Sequence, residues 1–178
     1  DNYRNQTDPE LYPNINWWDL ITRDHADNSR VNANVSGGNN FLRYALEMAY
    51  FDENGIYERD PNQERYPMLK VKRYNVRSNV DINLTPTTLL RFNIGGFLQT
   101  QNGNPDTSDV GLFYEASMAP PYVHPARYST GQIPRILNRQ NPWALATQRG
   151  YVFSNRSRLE SLTSLEQDIK IIPGLKAR

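Results

Sequence analysis

From Arg73 to Leu84 the chain repeats with a period of two. Tyr74, Val76, Ser78, Val80, Ile82 and Leu84 fall on one face, and every residue between them, Arg73, Asn75, Arg77, Asn79, Asp81 and Asn83, is polar. Successive side chains of a strand point to opposite faces, whereas an amphipathic helix repeats about every 3.6 residues, so this pattern specifies a strand. After Thr85-Pro86-Thr87 a second run places Leu90, Phe92, Ile94, Gly96 and Leu98 on one face and Arg91, Asn93, Gly95 and Gln99 on the other, with Leu89 and Phe97 as apolar exceptions. Two long strands joined by a short turn follow.

The same period recurs on both sides of this pair. Val31, Ala33 and Val35 alternate with Arg30, Asn32, Asn34 and Ser36 up to the turn signal Gly37-Gly38-Asn39-Asn40. Leu42, Tyr44, Leu46, Met48 and Tyr50 then alternate with Arg43, Ala45, Glu47 and Ala49 up to Asp52-Glu53-Asn54-Gly55, which completes a hairpin. A last strand is expected from Arg156 to Ile171, where Leu159, Leu165, Ile169 and Ile171 oppose Arg158, Glu160, Asp168 and Lys170, and Pro173-Gly174 turns the chain again. Residues 1–29 read as a loop rich in Asn, Asp and Pro with one short helix, Asn16 to Arg23, capped by Asn16. Residues 102–154 carry Gly or Pro at ten positions and no sustained period, and read as a second, long loop. The expected organisation is therefore a loop with a short helix over 1–29, two hairpins over 30–101, a long loop over 102–154 and further strands over 155–178.

A polar row opposite an apolar row fits two objects: a soluble sheet laid on a core, or a barrel strand with lipid on one side and a wet lumen on the other. Length separates them better than period does. Soluble strands usually have about five or six residues, while these runs extend to about 11–16, enough to cross a bilayer at about 9–11. The connections at 37–40, 85–88 and 173–174 are short and those at 52–69 and 102–155 are long, as in outer-membrane barrels with short turns at one rim and long loops at the other. The reading is all-β, an antiparallel transmembrane barrel segment; a soluble or surface β-sandwich that binds carbohydrate is the alternative.

Composition removes other classes. The 20 Lys and Arg balance 19 Asp and Glu, so no net basic field attracts nucleic acid. There is no Cys, which excludes disulfides and thiolate sites. Mean hydropathy is −0.75 and no apolar run approaches the about 18 residues of a membrane helix, a test that leaves barrels untouched. His25 and His124 stand far apart outside any metal-ligand spacing, no nucleophile elbow or phosphate loop occurs, and Asp52, Glu53, Asp106 and Asp109 lack the spacing of a Ca²⁺ loop. The expectation is a protein that is not an enzyme and has no metal or cofactor. The opening Asp1-Asn2-Tyr3-Arg4 has neither a start methionine nor a basic-then-apolar leader, and the chain reads as an interior piece of a longer one.

Several stretches together resemble a family. Tyr12-Pro13-Asn14-Ile15-Asn16-Trp17, Val31 through Gly38, Tyr50-Phe51-Asp52-Glu53-Asn54-Gly55-Ile56, Lys72 through Asp81, Asn141-Pro142 and Arg156-Ser157-Arg158-Leu159-Glu160 are similar to the early barrel of SusC/RagA-type TonB-dependent outer-membrane transporters. The resemblance implies one part of a plugged barrel of about 22 strands. It implies import of oligosaccharides or peptides across the cell outer membrane, powered through TonB by parts absent from this chain, under a SusD-like surface lipoprotein. The long loops would be extracellular and the short turns periplasmic.

Within that frame the loop aromatics Trp17, Trp18, Phe113, Tyr114, Tyr122, Tyr128 and Trp143 are candidate substrate contacts, with Asn138, Asn141 and Asp109 as hydrogen-bonding neighbours. Packing of the loops on one another is the competing role for each of them. Tyr44, Tyr50 and Phe51 suit an interfacial girdle against outer-membrane lipid. Arg73, Arg77, Asn79 and Asp81 are the candidate lumen-facing row, either lining a solute path or forming a satisfied hydrogen-bond and charge ladder against the plug.

Overall fold

The computed structural model describes residues 1–5, 7–62, 69–103, 109–135, 139–172 and 174–178, with the backbone alone at Asp109 and Val110. The chain forms two compact units, one of residues 28–52, 71–100 and 155–178 and the other of residues 1–27, 53–70 and 101–154.

Six strands make one sheet: β1 (Asn28–Gly38), β2 (Leu42–Asn54), β3 (Lys70–Thr85), β4 (Thr88–Gly103), β5 (Val152–Asp168) and β6 (Lys176–Ala177), in the order β1-β2-β3-β4-β5-β6. Each strand thus lies beside its neighbours in sequence. The Asn83 N–H donates to the Phe41 carbonyl (2.8 Å), which sets the end of β3 beside the start of β2. Likewise the Asp168 N–H donates to the Thr87 carbonyl (2.8 Å), which sets the end of β5 beside the start of β4. β5 and β6 are antiparallel, with Gln167 opposite Ala177. The sheet is an antiparallel meander, open at β1 and β6.

The strands are long, 11 residues in β1, 13 in β2, 16 in β3 and β4 and 17 in β5. β5 begins at Val152, four residues before the expected start, and ends at Asp168 because the chain turns there. Ile169 N–H bonds to the Leu175 carbonyl (3.0 Å) and Ile172 N–H to the Ile169 carbonyl (3.2 Å). Of the expected Pro173-Gly174 turn, Pro173 lies outside the described residues and Gly174 takes φ +84, the left-handed region open to glycine.

The two faces of the sheet are chemically distinct. The Tyr50 and Tyr74 rings meet at 4.9 Å on one face, while Asp81 lies between Arg43 and Arg91 on the other, so the apolar rows of β2, β3 and β4 coincide. No residue of β1, β2, β3 or β5 is buried on either face. Val76 is 47% exposed and Leu159 77%. Close approach of strands is managed by glycine: a Cβ at Gly96 would run into the Arg158 carbonyl oxygen across the β4/β5 pair.

The other unit holds the helices α1 (Asn2–Asn5), α2 (Trp17–Ile21), α3 (Asp109–Met118) and α4 (Pro142–Thr147). Its core is Trp17, Ile21, Leu112, Ala116, Ala119 and Leu145, so α2, α3 and α4 share one apolar centre. The helix expected at Asn16 to Arg23 forms over Trp17–Ile21. As expected, Asn16 caps it, its side-chain oxygen accepting from Trp18 N–H (3.2 Å) while its amide donates to Asp19 (2.6 Å). Residues 102–154, expected as a plain loop, contain α3 and α4. Apolar residues of α3 are spread along its sequence with no 3.6-residue stripe, although Leu112 and Ala116 reach the core together.

Two buried polar groups fix these connections. Asn141 is 3% exposed; its oxygen caps α4 by accepting from Trp143 (3.0 Å) and Ala144 (3.2 Å), and its amide donates to the Ala126 (2.9 Å) and Pro134 (3.3 Å) carbonyls. Every hydrogen-bonding capacity of that side chain is used. Asp60, also 3% exposed, accepts from Gln148 Nε2 (2.8 Å) and Asn62 N–H (2.9 Å), with Arg127 at 4.0 Å.

Candidate functional site

The polar face of the sheet carries a transverse ladder of alternating charge. Arg43 on β2 meets Asp81 on β3 at 3.7 Å, and Asp81 meets Arg91 on β4 at 4.0 Å. Arg91 bonds to Glu166 on β5 at 2.8 Å, and Lys176 on β6 lies 3.3 Å from both Glu166 and Asp168. Five strands are thereby tied by side chains as well as by backbone. Pairs this open to solvent are individually weak, and linking them restricts the side chains further. Asp81 is thus paired within the sheet, with Arg43 and Arg91 on its two sides.

The other members of that row behave differently. Arg73 lays its guanidinium over the Phe97 ring, 4.4 Å from the centroid, and donates to Asn75 (2.9 Å). That contact accounts for the apolar exception at Phe97, since a cation on its ring face makes it part of a polar surface. Arg77 is exposed and lines a groove of about 460 Å³ with Arg30, Glu47, Gly95, Arg158 and Glu160, while Asn79 is exposed farther along the row. Arg30 lies over the Phe51 ring at 4.6 Å. Phe51 therefore faces the polar side and does not share a girdle surface with Tyr44 and Tyr50, as its odd position in β2 requires.

The loop aromatics divide by burial. Trp17 is 3% exposed in the core, its ring edge-on to His124 (5.4 Å) and its indole N–H donating to the Pro120 carbonyl (3.4 Å). Trp143 packs against the same core. Tyr128 is half-buried in a turn closed by Gly131 N–H to its carbonyl (2.8 Å). Trp18 stacks on Phe113 (5.3 Å), which also leans on Tyr57 (6.0 Å). Tyr114 and Tyr122 present the most open rings, 56% and 60% exposed. Tyr122 borders a shallow cleft with Tyr3, Arg4 and Pro13. Of the proposed hydrogen-bonding neighbours, Asn141 is consumed by its cap, Asn138 lies outside the described residues, and so does the Asp109 side chain.

Sequence reasoning missed the partners of Asp81, namely Arg43 and Arg91, and the continuation of the ladder through Glu166 and Lys176. Period alone gives a residue's face but not its register, and only register shows which charges meet. Among the described residues no group of three or more His, Asp or Glu is gathered to hold a metal, and no helix is long and apolar enough to cross a membrane, which says nothing of strands.

No protein-family model matches the chain. Over 97 residues it is 27% identical to a TonB-dependent receptor of Formosa agariphila. This chain is similar to a TonB-dependent receptor. The match covers 54% of the chain and 9% of the relative, so the chain spans a small part of that protein's length. The similarity is to TonB-dependent receptors as a class.

Proposed function

We propose that the chain is a barrel segment of a SusC-like TonB-dependent outer-membrane transporter, not an enzyme, which imports oligosaccharides or peptides with a SusD-like lipoprotein over its mouth. The observation that carries this reading is the sheet: a meander of strands 11–17 residues long, ending in the short β6, whose apolar side chains are buried by nothing among the described residues. Such a face needs a covering, and strands longer than the about 9–11 residues of a bilayer crossing suit lipid. The open edges β1 and β6 fit a larger barrel, because an unpaired strand edge in hydrocarbon is not tolerated. In this arrangement the short connections are periplasmic and the long ones extracellular. The row Arg73, Arg77, Asn79 and Asp81 faces the lumen, and the open rings of Tyr114, Tyr122 and Trp18 are substrate contacts.

The test is a denaturing gel of protein extracted from native membranes, unboiled and boiled, probed with an antibody to this segment. The expected result is a band several times heavier than 20.6 kDa that shifts on boiling. A water-soluble 20.6 kDa species without a shift overturns the transporter and favours a soluble sandwich.

A further inference from the structure

The turns of the β1-β2, β3-β4 and β5-β6 hairpins lie along the same rim of the sheet, and they close in different ways. In the first, the Asn39 side-chain oxygen accepts from Phe41 N–H (2.8 Å) and Leu42 N–H (2.9 Å); in the second, the Thr85 hydroxyl donates to that of Thr88 (2.7 Å). The turns are neighbours, since Asn83 Nδ2 donates to the Asn40 carbonyl (2.6 Å) and Asp168 N–H to the Thr87 carbonyl (2.8 Å). The third turn closes through its backbone: Ile169 N–H bonds to the Leu175 carbonyl (3.0 Å), Ile172 N–H to that of Ile169 (3.2 Å) and Leu175 N–H to that of Ile172 (3.1 Å). Its side chains are apolar and open, with Ile171 91% exposed, Ile172 55% and Leu175 42%. Lys170, also exposed, is the one charged residue of 169–175.

We propose that this turn is a lipid anchor: Ile171, Ile172 and Leu175 enter the headgroup and acyl boundary of the phospholipid leaflet at that rim, and the Lys170 ammonium meets a lipid phosphate. The inference rests on the transporter reading and adds to it a membrane contact beyond the strands. Continuity favours lipid. Glu166 and Asp168 stand on the ladder face, so alternation puts Leu159 and Leu165 on the other face, and Ile169 prolongs their row into the turn. The backbone agrees, because unsatisfied N–H and C=O groups are what bar a turn from hydrocarbon, and the bonds across this one answer that cost internally. Charge agrees as well: a lysine lays its stem along apolar surface and carries its ammonium to the anionic headgroups, and no carboxylate stands within 169–175 to oppose it.

The experiment uses the full-length protein in vesicles of phosphatidylcholine and phosphatidylglycerol, with one spin-labelled cysteine at a time: Ile171→Cys, Ile172→Cys, Pro86→Cys or Val76→Cys. Collisions with oxygen, which concentrates in hydrocarbon, and with a water-soluble nickel chelate report what surrounds each label. The expected result is that the labels at 171 and 172 favour oxygen and lie about 5–10 Å below the phosphates, as an interfacial apolar surface does. The label at 86, in the threonine turn of the same rim, should favour nickel. Labels at 171 and 172 as open to nickel as the one at 86 overturn the proposal. Labels closed to both reagents overturn it too, and assign the turn to a contact with another part of the protein. Either of the two isoleucine sites decides the matter if the other variant fails to fold, which the boiling shift reads. The label at Val76 keeps the two readings apart: oxygen favoured at 76 with nickel favoured at 171 and 172 fails only here, and nickel favoured at 76 fails the transporter reading as well.

Discussion

The helical unit and the sheet solve opposite problems. In the former, Trp17, Ile21, Leu112 and Leu145 are removed from water, so its stability is internal, supplied by a small core and by two satisfied polar knots at Asn141 and Asp60. The sheet has strands of 11–17 residues, with the short β6, and no residue of β1, β2, β3 or β5 is buried; its backbone bonds and its charge ladder set its register, and its apolar face is left uncovered among the described residues. A helical unit of this kind depends on its own packing, and such a sheet depends on its surroundings.

The largest effect expected from separating the two is Ile21→Ala. Ile21 is fully enclosed, and truncating a buried isoleucine costs about 2–5 kcal/mol through lost transfer energy and the cavity left behind. In the full-length protein, trypsin should then cut around Arg23 and Arg127 faster than in the unaltered protein while the boiling shift persists. Loss of the boiling shift as well would mean that the two units fold as one.

Val76→Arg comes next and probes the sheet. Val76 is about half exposed in mid-strand, so on a water-facing surface the change should stay within about 0.5 kcal/mol. On a lipid face near the bilayer midplane it should cost about 2–4 kcal/mol, read as a lower urea midpoint for folding into vesicles. A neutral result would leave the apolar row without lipid and count against the barrel.

Much of this contrast is written in the sequence, and its legibility follows the range of the forces involved. The strands were readable because alternation is a local property: Arg73 to Leu84 specifies its own two faces without any knowledge of its neighbours. The Asn16 cap was readable for the same reason. Helices α3 and α4 were not, since Leu112 and Leu145 find each other across more than thirty residues and neither stretch is amphipathic by itself. The site was less legible than the fold. Trp17 and Tyr114 are alike in the sequence as loop aromatics, and only packing makes the first a core residue and the second an open ring beside Arg139. The partners of Asp81 depend on register, which no spacing rule encodes.

The smallest effect belongs to the ladder and is the sharpest check on what holds the sheet. Asp81→Asn keeps size and some hydrogen bonding but removes the negative charge between Arg43 and Arg91, leaving two guanidiniums facing each other across β3. Arg91 keeps Glu166 at 2.8 Å, so the chain of charges is cut at one link and survives at the next. The loss should be about 0.2–1 kcal/mol in low salt. It should fade near 1 M salt, where the screening length falls to about 3 Å, shorter than either Asp81 contact. Val76→Arg should show no comparable salt dependence, because it acts through the burial of a charge in hydrocarbon and not through pairing. If Asp81→Asn proves the costlier of the two, and remains so in high salt, the sheet is held mainly by its polar face, and the covering of its apolar face by lipid is secondary.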